Sequence, residues 1–99
     1  MATYQLVRYE IRAEARADAE RALHEHAARV RDSLPDESWT TYRDPDVPTR
    51  FVTFARGERG AVDTRAFAAI VQPFLASALD VMGCELVTSS DLQRRHRRR

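Results

Sequence analysis

SWTTYRDPDVPTRFVTFAR, residues 38–56, contains two short segments rich in aromatic and β-branched side chains, with a proline-containing turn between them. Segments 38–43 and 50–56 have the composition typical of strands. The residues that join them, Asp-Pro-Asp-Val-Pro at 44–48, strongly favour a turn. The pattern predicts a β-hairpin, which places the two strands side by side in an antiparallel sheet.

A further strand is predicted before this hairpin, over residues 3–13. Val7, Tyr9 and Ile11 alternate there with charged residues. Because successive side chains of a strand point to opposite faces of its sheet, only one face of this strand is expected to be fully buried.

Two amphipathic segments predict helices. Residues 14–34 contain no glycine or proline, are rich in good helix formers, and carry a thin apolar stripe that ends before Pro35. Residues 63–81 have a wide apolar face, with Asp63 or Thr64 as a candidate N-cap. Pro73 lies within this second segment, where it is expected to kink the helix or divide it in two.

The last strand is predicted at residues 84–88, after Gly83 ends the second helical segment. The order β-α-β-β-α-β is that of a ferredoxin-like α+β fold, with a four-stranded antiparallel sheet and both helices on one face. The other sheet face needs a cover, and a second copy of the same sheet would provide one. A homodimer through the sheet face is therefore predicted.

Charge is distributed unevenly along the chain. Five of the 16 basic residues lie at 94–99, which leaves 11 basic and 15 acidic side chains elsewhere. One domain is predicted over residues 1–90, followed by a basic tail at 91–99 that is disordered because its like charges repel. The acidic body argues against nucleic acid as a partner. The alternative is that the tail recruits another acidic surface.

The sequence also bears on location. No apolar run approaches the roughly 20 residues that cross a bilayer, and no secretory signal is recognisable at the N-terminus. The single cysteine, Cys84, cannot form an internal disulfide. These features predict a cytoplasmic protein without a membrane partner.

Three features follow one another within residues 4–88: a strand at 6–11 that leads into a charged helix, the hairpin YRDPDVPTRF at 42–51, and an aromatic-rich helix with Phe67 and Phe74. Together they resemble the antibiotic biosynthesis monooxygenase-like family of the dimeric α+β barrel superfamily. The resemblance implies two subunits packed sheet to sheet, each with a cavity between its sheet and helices. It also implies a cofactor-independent monooxygenase, since some members oxidise aromatic polyketides or quinol-like substrates with molecular oxygen alone.

The sequence departs from the family pattern in three respects. No histidine occurs between His26 and His96, although many members have one near residues 63–67. The frequent Glu-x-Trp of the third strand is replaced by residues 53–55, Thr-Phe-Ala, and the asparagine of the haem-degrading branch is missing. These departures argue against haem degradation. They leave open a non-catalytic small-molecule-binding protein, or a cyclase- or isomerase-like accessory protein.

His26 is the candidate catalytic residue, because it lies beside the apolar stripe of the first helix and an imidazole facing a cavity can act as a general base. The alternative is a histidine at the edge of the stripe that is hydrogen-bonded to backbone. The candidate pocket contains aromatic side chains that can hold a flat substrate and one arginine that can stabilise an enolate or phenolate. These residues are Tyr9, Trp39, Tyr42, Phe67, Phe74 and Arg8.

Each pocket candidate taken alone is also explained by an ordinary role in the core, in a subunit interface or in an ion pair. The sequence has no spacing typical of a metal site and no glycine-rich phosphate loop. The expectation is therefore a small hydrophobic or aromatic ligand and no cofactor.

Overall fold

The structure, a computed structural model, describes residues 2–60 and 62–90. Its centre is one antiparallel sheet, in which β1 (Thr3–Glu10) pairs with β3 (Arg50–Gly57). β2 (Glu37–Arg43) flanks β3 at one edge, and β4 (Asp80–Cys84) flanks β1 at the other. With helices α1 (Arg16–Ser33) and α2 (Thr64–Val71), this confirms the predicted ferredoxin-like α+β fold and its β-α-β-β-α-β order.

Both helices pack on the same face of the sheet. The buried core joins alternate residues of β1 and β3 to the apolar faces of the helices, and it includes Val7, Tyr9, Phe51, Ala19, Leu23, Phe67 and Val71. Alternation along each strand leaves the second sheet face without helices, and this surface is called the open face below.

The predicted hairpin is confirmed, and its turn is held by local hydrogen bonds. The Asp44 carboxylate accepts from the backbone N–H groups of Asp46 and Val47, at 2.8 and 3.3 Å. The Arg50 N–H then donates to the Val47 carbonyl at 2.9 Å. Asp44 thus supplies the side-chain acceptor that such turns favour, and the hairpin fixes Thr41 opposite Thr53.

The second helix begins as predicted, because the Asp63 side chain accepts from the Ala66 N–H at 3.0 Å as an N-cap. Its predicted extent to residue 81 is wrong, since α2 ends at Val71 and only a short 3-10 turn follows over Gln72–Phe74. Pro73 lacks the N–H that a longer helix needs. The backbone after it bonds to the end of β1: the Ala76 N–H donates to the Glu10 carbonyl at 2.8 Å.

The last strand is also displaced from its prediction. It spans Asp80–Cys84 instead of 84–88, because the early end of α2 returns the chain to the sheet sooner. The register places Val81 opposite Val7 and Met82 opposite Leu6. The first strand is shorter than predicted, since it ends at Glu10 and a 3-10 turn over Ala13–Ala15 precedes α1.

Two expectations about location and the tail have different outcomes. Within residues 2–60 and 62–90, no helix has the length and apolar character that crossing a membrane requires. The predicted basic tail, 91–99, lies outside the described residues.

Candidate functional site

A cleft of about 280 Å³ opens between α1 and the β2 edge of the sheet. Trp39, Thr41 and Arg43 face it from β2, since residues two apart on a strand share one face. Phe51 of β3 contributes to the floor, and His26 and Glu20 belong to the α1 wall. The cleft thus has aromatic walls and a charged pair, Glu20 and Arg43, among its lining groups.

His26 and Trp39 meet in this cleft over a buried aromatic ring. The His26 ring meets Trp39 edge-on, with centroids 5.0 Å apart, and Phe67 at 5.4 Å. Trp39 stacks on Phe67 at 4.9 Å. Such contacts between aromatic rings fix ring orientation as well as burying area. The fold therefore brings together three of the residues selected from the sequence.

The electrostatic state of His26 follows from its burial. The side chain is only 8% exposed. Desolvation lowers the pKa of His26 below its ordinary value of 6.5, Arg29 lowers it further, and Glu37 opposes them. Among the residues that the structure describes, none hydrogen-bonds to the imidazole, so the backbone bond of the alternative interpretation is not found there. At neutral pH the ring is an uncharged group with nitrogens available to a bound molecule.

Tyr9 lies beneath the cleft and reaches it through two threonines. Its hydroxyl is 2.7 Å from Thr53 Oγ1, which is 2.9 Å from Thr41 Oγ1 in the cleft lining. Burial raises the pKa of Tyr9 above 10.0, although the hydrogen bonds to Thr53 and Thr41 oppose the shift. Tyr9 is thus a neutral core residue, linked to the cleft by a chain of hydroxyl groups.

The sequence interpretation missed Thr41, Thr53 and the charged group at the cleft. Arg43 Nη1 donates to both carboxylate oxygens of Glu20, at 3.1 and 3.2 Å. The usable signal was alternation: Thr41 and Arg43 share a strand face with Trp39, and Thr53 shares one with Phe51. Threonine and arginine are so common on strands that alternation alone did not mark them.

Three other candidates lie away from the cleft. Tyr42 and Arg8 were predicted to line a pocket between sheet and helices, but the register places both on the open face. Arg8 pairs there with Asp80 at 3.0 Å. Phe74, the third of these pocket candidates, follows α2 and packs half-buried against the core.

The described residues contain no candidate metal-binding site. Among residues 2–60 and 62–90, no group of three or more His, Cys, Asp or Glu side chains is placed to hold a metal ion. The polar and aromatic groups that line the cleft are instead two aromatic rings, one hydroxyl, one arginine–glutamate pair and two imidazoles, since the exposed His24 lies at the cleft beside His26.

Comparison with known proteins identifies similar folds but no similar sequences. No protein-family model matches the chain, and no curated protein matches it. Among solved structures, SnoaB from Streptomyces nogalater, a cofactor-independent oxygenase solved as a mutant, is 15% identical with a TM-score of 0.71. The match covers 90% of this chain and 96% of SnoaB.

Two further structures show the same likeness. Rv0793 from Mycobacterium tuberculosis is 18% identical with a TM-score of 0.70, over 91% of this chain and 99% of that one. A Nitrosomonas europaea protein, provisionally named an antibiotic biosynthesis monooxygenase, is 12% identical with a TM-score of 0.71, over 87% and 90% of the two chains. The chain therefore has the fold of solved antibiotic biosynthesis monooxygenases, which confirms the resemblance in its sequence at the level of the fold.

Proposed function

We propose that the cleft binds a small planar aromatic molecule and that the protein is a cofactor-independent monooxygenase. The observation that carries this proposal is His26: a buried, neutral imidazole, set against Trp39 in an aromatic cleft. SnoaB, which shares the fold, is a cofactor-independent oxygenase. Pockets of this kind combine apolar walls with a few placed polar groups.

The chemistry requires little from the protein. A neutral His26 accepts a proton from an acidic C–H of the substrate, which leaves a carbanion stabilised by the aromatic system. The carbanion reduces molecular oxygen by one electron, and the two radicals combine into a hydroperoxide. Loss of water then gives the ketone, so that a CH₂ group and O₂ become C=O and H₂O. The substrate supplies all the electrons, and the protein binds, deprotonates and excludes water.

One observation favours a second function, a small-molecule-binding protein without catalysis. General bases in enzymes are usually oriented by a further hydrogen-bonding group. No residue within the described ranges hydrogen-bonds to His26. The ring instead contacts the aromatic rings of Trp39 and Phe67, an arrangement that serves binding as well as it serves proton transfer.

Oxygen uptake separates these two functions. Purified protein, stripped of metal and flavin, is expected to consume one O₂ for each molecule of an anthrone in a substrate panel. Ultraviolet spectroscopy should follow the appearance of the quinone. Oxygen uptake no faster than the uncatalysed rate, together with an unaltered ligand retained in native mass spectrometry, would support the binding protein instead.

We also propose that two copies pack through their open faces. Tyr42 and Phe54 are 58% and 49% exposed there and meet edge-on at 6.1 Å. The charges of this face are matched within the chain: Arg8 pairs with Asp80 at 3.0 Å, and Arg50 with Glu10 at 3.4 Å. A face with exposed aromatic rings and internally paired charges can meet a second copy of itself without charge repulsion, as a two-fold interface requires.

Phe54→Glu is expected to convert the dimer into a monomer at micromolar concentration, because the two-fold axis brings two unpaired carboxylates into one apolar interface. Sedimentation velocity measures the change directly. The matched control is Leu34→Glu, which adds the same charge to an exposed leucine at the end of α1 and should remain dimeric. A monomeric wild-type protein in the same experiment would contradict the dimer.

A further inference from the structure

The ion pair between Glu20 and Arg43 at the cleft includes a second arginine, Arg16. Glu20 accepts from Arg43 Nη1 and also lies 3.5 Å from Arg16 Nε, so one carboxylate is shared by two guanidinium groups. The local charge is therefore positive by one unit. Arg43 itself lines the cleft and is about half exposed, so the excess charge is accessible to a bound molecule.

Glu20 occupies only one nitrogen of Arg43. The contacts of Arg43 to Glu20 run through Nη1, and no other described residue bonds to its Nε or Nη2. These two nitrogens form one edge of the planar guanidinium, with parallel N–H groups that match the two oxygens of a carboxylate. Glu20 thus contacts the guanidinium through one nitrogen, and no described side chain occupies the Nε–Nη2 edge.

The positions of the aromatic and charged groups suit one elongated ligand. Trp39 and Arg43 are four residues apart on the same face of β2, which corresponds to about 13 Å between their Cα atoms. A fused aromatic ring system beside Trp39 and His26 can therefore extend an acidic substituent toward Arg43. Thr41 lies between them and can bond to a substituent in the middle of the ligand.

We propose that the cleft selects planar aromatic acids, and that Arg43 is the specificity-determining residue that binds their carboxylate through its Nε–Nη2 edge. This inference rests on the aromatic-binding cleft of the proposed function, but not on the oxidation of the ligand. Glu20 is a positioning residue, because it acts through Arg43.

Three probes with one ring system test the selectivity: 2-naphthoate, 2-naphthamide and 2-naphthylmethylammonium, titrated calorimetrically at pH 7.5. Wild-type protein is expected to bind the naphthoate about tenfold to a hundredfold more tightly than the amide, the range for a charge-assisted hydrogen-bonded pair. The ammonium compound should bind most weakly. The preference should shrink as salt is raised, because Arg43 is partly exposed.

Variants assign the preference to Arg43. Arg43→Gln should remove it while changing the affinity for the amide by less than about twofold, and Arg43→Lys should restore only part of it because lysine lacks the planar fork. The matched control is Arg21→Gln. Arg21 is an exposed arginine on α1, the helix that also carries Glu20, and its loss should leave the full preference for the acid.

The outcomes separate this inference from the proposed function. Equal binding of all three probes, tightest binding of the ammonium compound, or an acid preference retained in Arg43→Gln each overturns the role of Arg43 and leaves the aromatic cleft standing. Failure of every probe to bind wild-type protein overturns both. An acid preference without oxygen uptake on any substrate overturns the oxygenase alone.

Discussion

Replacing Phe67 with alanine is expected to lower the free energy of unfolding by about 3–5 kcal/mol, the usual cost of emptying a buried phenylalanine site. Phe67 is fully buried, and its ring contacts Tyr9, His26 and Trp39 at once. The substitution therefore removes one ring that packs at the same time against β1, α1 and β2. Since domains of this size have a total stability of roughly 5–15 kcal/mol, the variant should be close to unfolding at 37 °C.

Urea denaturation followed by circular dichroism, at one fixed protein concentration, measures the loss. Phe67→Leu keeps most of the volume and should cost less than Phe67→Ala. Val87→Ala is the control for removing apolar atoms at an exposed site, since Val87 is 94% exposed and its loss should change stability by less than about 0.5 kcal/mol. A cost below about 1 kcal/mol for Phe67→Ala would show that the site collapses and that the aromatic cluster is not the centre of the core.

Replacing His26 with glutamine is expected to lower the oxygenase rate by about 10²–10⁴-fold, the usual contribution of a general base. Glutamine has a polar side chain of comparable reach but cannot accept a proton at neutral pH. Stopped-flow measurement of quinone formation, at saturating substrate, gives the rate. The matched control is Glu25→Gln, one position away on the exposed side of α1, which should leave the rate unchanged.

The pH dependence of kcat/KM has a defined direction, because kcat/KM reports the ionisation of the free enzyme. Only the neutral imidazole accepts a proton, and burial lowers the pKa of His26 below 6.5. The kcat/KM of the wild-type protein should therefore approach its plateau at neutral pH and fall as the pH decreases through the lowered pKa, with a midpoint below 6.5. A midpoint above 6.5, or the same profile in His26→Gln, would assign the proton transfer to another group.

The parts of the fold that were predicted correctly are those with local causes. The hairpin has its turn residues and its aromatic strands within one stretch of 19 residues, 38–56. The end of α2 has a distant cause as well as a local one. Pro73 was recognised as an interruption, but the bond from Ala76 to Glu10 draws the following chain onto β1, and that contact joins residues far apart in sequence.

In the candidate site, too, local features could be predicted from the sequence and features set by distant contacts could not. His26 was selected from its place beside a helical stripe, and the structure puts it in a cleft with Trp39. The choice between Trp39 and Tyr42 could not be made from β2 alone, because both strand faces carry an aromatic residue. Pairing of Thr41 with Thr53 decides it, since Thr53 belongs to the helix-covered face and Tyr42 then faces away.

Among the described strands, β2 lies at an edge of the sheet and pairs with β3. Part of the cleft wall is therefore carried by a strand outside the centre of the sheet. Thr41 and Arg43 are exposed positions of that edge strand, whereas β1 and β3 carry the buried packing. Substitutions at these two positions can change the size and charge of an accepted molecule at little cost in stability. The architecture therefore allows the cleft to be re-lined by substitution without rebuilding the core.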